Sequence, residues 1–171
     1  MFDAGDFAVL GVDPGLAATG LAVVRRRSGK AAIAWAQTVR TSAGLQESAR
    51  LRALHEAVRG AITEHRPQSL AVERVMWGRN VGSAMSVARA TGVILLAAAQ
   101  AGIGVEEYAP LEVKMAVTGV GNATKEVMRR ALSRIHGLDG VPLEPDAADA
   151  VAVAFCHLQQ ARLRQVTGAR S

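Results

Sequence analysis

Apolar runs broken by turn signals dominate the first forty residues, a pattern typical of short β-strands. The first run, Phe7–Asp13, stops at Pro14-Gly15, which is a turn signal. Two further runs, Thr19–Val24 and Ala31–Thr38, flank the polar segment Arg25–Lys30, for which we predict a hairpin loop. Three strands joined by short turns indicate an antiparallel meander.

From Gly44 onward the apolar positions recur mostly at the three- and four-residue intervals of helices. The predicted helices are Gly44–His65, Asn80–Ala101, Pro110–Val117, a helix from the N-cap Thr124 to about Ile135, and one from Pro145 past Leu163. Two more strands, Ser69–Val75 and Ile103–Tyr108, lie between the first three helices. Arg66-Pro67 ends the first helix, since the residue before proline avoids the helical region.

This order of elements predicts the fold class. Three antiparallel strands followed by strand–helix alternation indicate an α/β protein with a five-stranded mixed sheet and helices on both faces. That order is the one expected for a ribonuclease H-like domain. The chain has 171 residues and is 50% hydrophobic, which suits one compact domain. We expect that domain over residues 1–167, with a frayed tail at 168–171.

The charge balance favours a polyanionic partner without requiring one. The net charge is +5 and the sequence pI is about 10.3. Of the 20 basic residues only Lys30, Lys114 and Lys125 are lysine. Arginine presents a planar fork of donors that suits phosphate oxygens, but a GC-rich genome explains the arginine bias equally well.

The sequence shows no sign of export or membrane insertion. The longest uncharged stretch, Ala90–Val105, has 16 residues and falls short of the roughly 20 that span a bilayer. The first residues are acidic, unlike the basic start of a signal peptide. Cys156 is the one cysteine, so no internal disulfide can form. We therefore expect a cytoplasmic protein.

Two acids occupy unusual positions in predicted strands. Asp13 ends an apolar strand, and Glu73 lies within a predicted strand whose other residues are typical of the centre of a sheet. A carboxylate in a core is costly, so each should point out of the sheet or bind something. Asp13 could instead cap the turn that follows, and Glu73 could form a salt bridge with Arg74 or Arg79.

A second pair of acids opens the last helix. Asp146 and Asp149 are three residues apart, which places both on one helix face. Acids in a first turn also compensate the helix macrodipole, which is the alternative explanation. Their neighbours Ala147, Ala148 and Ala150 are small, and we expect these alanines to leave open space around the carboxylates.

Four isolated carboxylates favour a site for hard cations. Mg²⁺ prefers oxygen ligands and keeps several waters, so a few carboxylates and a substrate phosphate suffice. Two such ions about 4 Å apart can stabilise the attacking and leaving oxygens of a phosphoryl displacement. The sequence has neither a Cys/His cluster for zinc nor a glycine-rich phosphate loop ending in Gly-Lys-Ser/Thr.

Three segments together resemble the RuvC family of Holliday-junction resolvases. They are Val9–Gly15 continuing to Thr19-Gly20, then Leu70–Glu73 with Asn80, Ser83-Ala84 and Ala90–Val93, and finally Asp146–Ala150. The resemblance covers nearly the whole chain, in order and at family-like spacing. It implies a ribonuclease H-like fold, a homodimer with two active sites, and dependence on Mg²⁺ or Mn²⁺. It also implies paired nicks across a four-way DNA junction, and cooperation with a branch-migration complex of the RuvA and RuvB type.

The resemblance also implies roles for single residues. Asp13, Glu73, Asp146 and Asp149 match the family's four metal ligands, which hold two ions. Lys114 and Lys125 match two family lysines near the DNA phosphates, although both could simply be solvated surface lysines. On this scheme a water activated by the cations and a carboxylate attacks in line, leaving 5′-phosphate and 3′-hydroxyl ends.

The chain departs from the family beyond its strand glutamate. Three positions after that glutamate the family usually has an aromatic residue, whereas here Met76 occupies the position and Trp77 follows it. We predict that Trp77 and Met76 stack on bases at the junction, with Arg79 and Asn80 as further DNA contacts. Alternatively, Trp77 packs on the surface of the dimer.

The long helix offers a surface for dimerisation. Ala84, Ala88 and Gly92 recur every four residues and form a smooth stripe; the family's two-fold interface uses the matching helix. Alternatively, the stripe packs on the chain's own sheet, a role that Val87, Ile94 and Leu95 could fill instead. For His157, two turns beyond Asp149, we favour a structural role.

Three other functions compete with junction cleavage. An actin-like ATPase or sugar kinase shares the Asp-Pro-Gly motif and the ribonuclease H-like core, but it needs two such domains. A related nuclease could act on structured RNA. A non-catalytic junction binder would gain nothing from four carboxylates placed beside phosphate.

Overall fold

The computed structural model describes residues 6–75, 81–134 and 142–167, with side chains described as far as residue 161. Its strands are β1 (Phe7–Asp13), β2 (Ala18–Arg27), β3 (Lys30–Arg40), β4 (Ser69–Glu73) and β5 (Gly104–Tyr108). Its helices are α1 (Glu47–His65), α2 (Val81–Gln100), α3 (Pro110–Thr118), α4 (Lys125–Leu132) and α5 (Pro145–Thr167). The predicted DNA contacts Met76, Trp77, Arg79 and Asn80 and the predicted tail at 168–171 lie outside the described residues.

The five strands form one mixed sheet in the order β3-β2-β1-β4-β5. β1 pairs antiparallel with β2, and β2 with β3, whereas β4 lies parallel to both β1 and β5. The predicted α/β class with a five-stranded mixed sheet is therefore confirmed. β1 and β4 occupy the centre of the sheet, so their carboxyl ends lie side by side at one edge.

The β2–β3 hairpin is longer than predicted. The segment Arg25–Lys30 is not a loop, because β2 continues to Arg27 and β3 begins at Lys30. The turn is only Ser28-Gly29, where φ is 49° and 80°. Two-residue turns with positive φ match the twist of antiparallel strands. The arginines at the end of β2 therefore pair with β3 instead of forming a loop.

Helices cover both faces of the sheet, as predicted. Leu10 and Val72 face one way and pack with α1 and α2. Val9 and Ala71 face the other way and pack with α5, which is flanked by α3 and α4. Alternate residues of each central strand therefore face opposite layers, as the two-residue repeat of strands requires.

Helix ends differ from the predictions by a few residues. α1 begins at Glu47 rather than Gly44, because Thr41 and Leu45 bond to turn carbonyls before the helix starts. α4 ends at Leu132. Among the described residues, α2 is the one helix long and apolar enough by composition to cross a bilayer. Its inner face packs on α1, and such a helix is weak evidence for a membrane span.

Two glycines allow α5 to lie directly on the sheet. A Cβ at Gly20 would overlap the backbone carbonyl oxygen of Asp146, and one at Gly11 would overlap that of Ala150. Ala147 and Ala150 are buried in this contact. Of the three alanines expected to leave open space around the carboxylates, Ala147 and Ala150 are instead buried against the sheet, and Ala148 is half-buried. A small side chain at Ala147 and Ala150 suits the close approach of the helix backbone to the strands.

Candidate active site

The carboxyl ends of the two central strands carry the first pair of acids. The parallel register aligns Val12 with Val72, so the next residues, Asp13 and Glu73, lie side by side. Their carboxyl groups are close enough to act on each other, because each contributes to the shifted pKa of the other. A cation bound between them could neutralise both groups.

The start of α5 brings the second pair to the same place. Asp13 is paired with Gly20 across β1 and β2. The backbone of Asp146 lies against Gly20, so Asp146 enters the site beside Asp13. One turn later Asp149 reaches the same cleft and acts electrostatically on Glu73. The structure thus brings together all four acids that the sequence singles out.

The four acids line one cleft of about 380 Å³. Its other lining residues are Pro110, Val113, Lys114, Ala123, Lys125, Met128, Ala152 and Val153. Both predicted lysines are therefore present, contributed by α3 and α4. Sequence reasoning missed the apolar lining, in which Val113 and Met128 are buried.

Burial and repulsion by neighbouring acids disfavour ionisation of Asp13, Glu73 and Asp149. Burial raises the pKa of Asp13 to about 8, and the charges of Glu73, Asp149 and Asp146 add to that increase. Burial also raises the pKa of Glu73, as does Asp149, against the opposing effect of Asp13, Lys114 and Lys125. A cleft that collects this much negative charge favours cations.

Two of the alternative explanations for the strand acids find little support, whereas the third, a salt bridge from Glu73 to Arg79, involves a residue outside the described part of the chain. Arg74 lies 3.7 Å from Glu107, so it is paired away from Glu73. Thr19, rather than Asp13, holds the turn after β1, because its hydroxyl donates to the carbonyl of Gly15. Burial raises the pKa of Asp149, and the charge of Lys125 opposes that increase.

The donor set fits a hard divalent cation. All four acids supply carboxylate oxygens, the ligands that Mg²⁺ prefers, and no histidine or cysteine lines the cleft among the described residues. Within residues 6–75, 81–134 and 142–167, no three carboxylate, imidazole or thiol groups already converge closely enough to hold an ion.

We expect the stability of the cation-free protein to fall as the pH rises from about 4 to about 8. Because the pKa of Asp13 is raised from 3.8 to about 8, the folded state binds that proton more tightly than the unfolded state does. The bound proton therefore stabilises the folded state fully below pH 3.8, and this stabilisation is lost above about pH 8. Thermal melts in chelator across this range measure it, and Mg²⁺ at pH 8 should restore stability.

The variant Asp13→Asn separates this effect from other titrations, because it removes the group and should flatten the pH dependence. Equal slopes for the two proteins would contradict the assignment to Asp13.

Comparisons with known proteins identify the family. The profile for crossover junction endodeoxyribonuclease RuvC matches residues 9–157. The chain belongs to the RuvC family. RuvC of Syntrophomonas wolfei is 42% identical over 155 residues, which cover 91% of this chain and 90% of that protein. RuvC of Moorella thermoacetica is 42% identical over 157 residues, covering 92% and 94%.

Solved RuvC structures share this architecture. Thermus thermophilus RuvC in complex with a Holliday junction substrate superposes with a TM-score of 0.87 at 35% identity, covering 92% of this chain and 96% of that one. The predicted ribonuclease H-like fold and RuvC resemblance are confirmed. The predicted activity, a crossover junction endodeoxyribonuclease, is likewise confirmed by this membership, and a nuclease for structured RNA is not favoured.

Proposed function

We propose that this chain resolves four-way DNA junctions by metal-dependent hydrolysis at the acid cleft. The observation that carries the proposal is the convergence of four carboxylates and two lysines in one cleft. These groups come from β1, β4, α3, α5 and the start of α4, so they meet only in the folded chain. A solved RuvC of the same fold binds a Holliday junction substrate, which supports the choice of DNA.

Each group in the cleft has a proposed role. Asp13, Glu73, Asp146 and Asp149 hold two Mg²⁺ ions, for which Mn²⁺ can substitute. When bound, these ions supply an activated water and stabilise the charge on the scissile phosphate. Lys114 and Lys125 offset the charge of the DNA backbone, and they already exert that effect on Glu73. The products are 5′-phosphate and 3′-hydroxyl ends.

A comparison of substrates tests this function. With Mg²⁺, the protein should cut a synthetic four-way junction at symmetric positions and cut plain duplex DNA and structured RNA far more slowly. Nucleotide-resolution mapping of both strands measures this. Cleavage of structured RNA at the rate of the junction would instead support the alternative, a ribonuclease H-like nuclease for RNA.

We also propose a homodimer formed through α2. Val81, Met85, Gly92 and Leu96 are exposed and recur at intervals of four, seven and four residues, so they share one helix face. Of the stripe predicted from sequence, Gly92 is exposed whereas Ala84 is buried within the monomer. Ile94 packs in the core, and Val93 and Leu95 lie against it. Large exposed apolar side chains in a row favour an interface over open solvent.

A charge placed on this face should separate the dimer. We expect Met85→Glu to give a monomer by light scattering, because an unpaired carboxylate would be buried in the interface. Leu111→Glu is the matched control, since Leu111 is similarly exposed but lies on α3. An unchanged mass for Met85→Glu would exclude this face.

The remaining predictions complete the proposal. Met76 and Trp77 stack on bases at the junction centre, with Arg79 and Asn80 beside them, and a branch-migration complex delivers the junction. The nuclease domain spans residues 1–167. The protein acts in the cytoplasm, where its DNA substrate is found.

A further inference from the structure

A buried polar contact joins the second half of α5 to the sheet. Among the described residues, the buried polar or charged side chains are Thr19, Ser69, Thr91 and His157. Two of these bond to each other, since His157 Nε2 lies 2.9 Å from Ser69 Oγ. The other ring nitrogen, Nδ1, lies 2.9 Å from the hydroxyl of Tyr108. We call Ser69, His157 and Tyr108 the α5 clamp.

The imidazole ring also makes directed contacts with its neighbours. It stacks on Phe7, with ring centroids 6.2 Å apart, and meets Tyr108 edge-on at 5.9 Å. His157 therefore contacts β1 and β4, which carry Asp13 and Glu73, and β5, which pairs with β4. An apolar side chain of similar size could fill this space, but it could not bond to two hydroxyls from different strands.

The α5 clamp lies at about the same distance from the cleft along β4 as along α5. Ser69 and Glu73 share one face of β4 and are four residues apart, or roughly 13 Å at 3.3 Å per residue. Asp149 and His157 are eight residues apart on α5, or roughly 12 Å at 1.5 Å per residue. Because α5 runs antiparallel to β4, the bond from His157 to Ser69 fixes where Asp149 lies along the helix axis relative to Glu73.

Among the described residues, α5 also bonds to the sheet through Arg26 of β2, which reaches the carbonyl of Leu158 at 3.4 Å, whereas both bonds of His157 are 2.9 Å. Between the acids and the clamp, α5 meets the sheet through Ala150 and Ala154, which lie one turn apart over Gly11. At Gly11 this contact is smooth, because a shift of one turn exchanges one alanine for another, although Val151 and Val153 of α5 are also buried in this layer. Hydrogen bonds are directional and short, so the clamp defines a single register.

We propose that His157 is a positioning residue, which holds α5 in the register that sets Asp146 and Asp149 against Asp13 and Glu73. The inference rests on the nuclease function proposed above. It adds a residue remote from the cleft whose effect is exerted through the helix. Displacement of about 1 Å at a reacting centre can cost roughly a hundredfold in rate.

Two clamp variants and one control test this role. His157→Phe keeps the ring and loses both bonds, and Ser69→Ala loses only the bond to β4. Leu158→Ala is the control, because Leu158 is buried on the same helix next to the clamp and its truncation leaves a cavity. For each protein we would measure melting temperature, junction affinity without divalent cations, Mn²⁺ affinity by calorimetry without DNA, and the single-turnover cutting rate.

We expect both clamp variants to cut about tenfold more slowly and to bind Mn²⁺ more weakly, with unchanged junction affinity. Leu158→Ala should lower the melting temperature at least as much yet keep both the rate and the Mn²⁺ affinity. His157→Gln, whose amide can reach Ser69, should recover part of what His157→Phe loses.

Two results would overturn the inference. One is normal Mn²⁺ affinity and rate in both clamp variants. The other is losses that follow melting temperature alone, with Leu158→Ala equally impaired. If His157→Phe fails to fold, Ser69→Ala decides, since it removes a single hydroxyl. If the wild-type protein does not cut junctions, the proposed function fails, whereas the Mn²⁺ measurement still tests the positioning role.

Discussion

Asp13→Asn should reduce junction cutting by about 10³-fold, since the loss of one anionic ligand removes several kcal/mol of charge stabilisation at the reacting phosphate. Asp13 is central to the cleft, because Glu73, Asp146 and Asp149 all act on its pKa. Junction affinity in chelator should be kept at neutral pH, because the raised pKa already leaves Asp13 largely uncharged there. Single-turnover cleavage and a binding titration measure the two effects separately.

The same variant should be more stable than the wild type at pH 8 without cations. Burial and three neighbouring acids disfavour the ionised form of Asp13, and asparagine carries no charge. Glu64→Gln is the control, since it makes the same change at an exposed position of α1. Full cutting activity of Asp13→Asn with Mg²⁺ would refute the proposed cleft chemistry.

Gly20→Ala should impair both stability and cutting. A methyl group at Gly20 would overlap the carbonyl oxygen of Asp146, so β2 and the start of α5 must separate. Overpacking of this kind costs about 1–3 kcal/mol of folding free energy. Since Asp146 would move with its backbone, cutting should fall by about 10²-fold even at temperatures where the variant is fully folded.

Urea denaturation and single-turnover cleavage check the two parts of this prediction. Gly60→Ala is the matched control, because Gly60 lies in α1 and an added Cβ there would have no other atom within 4 Å. Alanine there should stabilise the protein by about 0.5–1 kcal/mol and leave cutting unchanged. Near-normal cutting by Gly20→Ala would show that the close approach at this glycine does not position Asp146.

Much of the fold follows from local patterns. Apolar spacing, turn signals and helix caps predict the five strands and five helices found in the described part of the chain, and the Asp-Pro-Gly turn correctly ends β1. The errors lie at boundaries such as Arg25–Lys30, where charged residues resemble a loop but continue the ladder. There the tertiary pairing of β2 with β3 outweighs local polarity.

The candidate site is also largely predictable, because carboxylates next to apolar strand residues lower the stability of the fold unless they bind something. Asp13 and Glu73 each end an apolar strand, and Asp146 and Asp149 share a helix face. The positions of Lys114 and Lys125 come from family resemblance rather than from any local pattern. The structure places both beside the acids.

The sequence by itself determined the order of elements, the four acids and the family, because strand and helix periodicity and charged residues in apolar runs are local signals. Only the tertiary structure decided how α5 meets the sheet. The contact of Gly20 with Asp146 and the bond of Ser69 with His157 join residues far apart in the chain. No local pattern encodes such contacts, because they depend on how closely two packed elements approach and in which register.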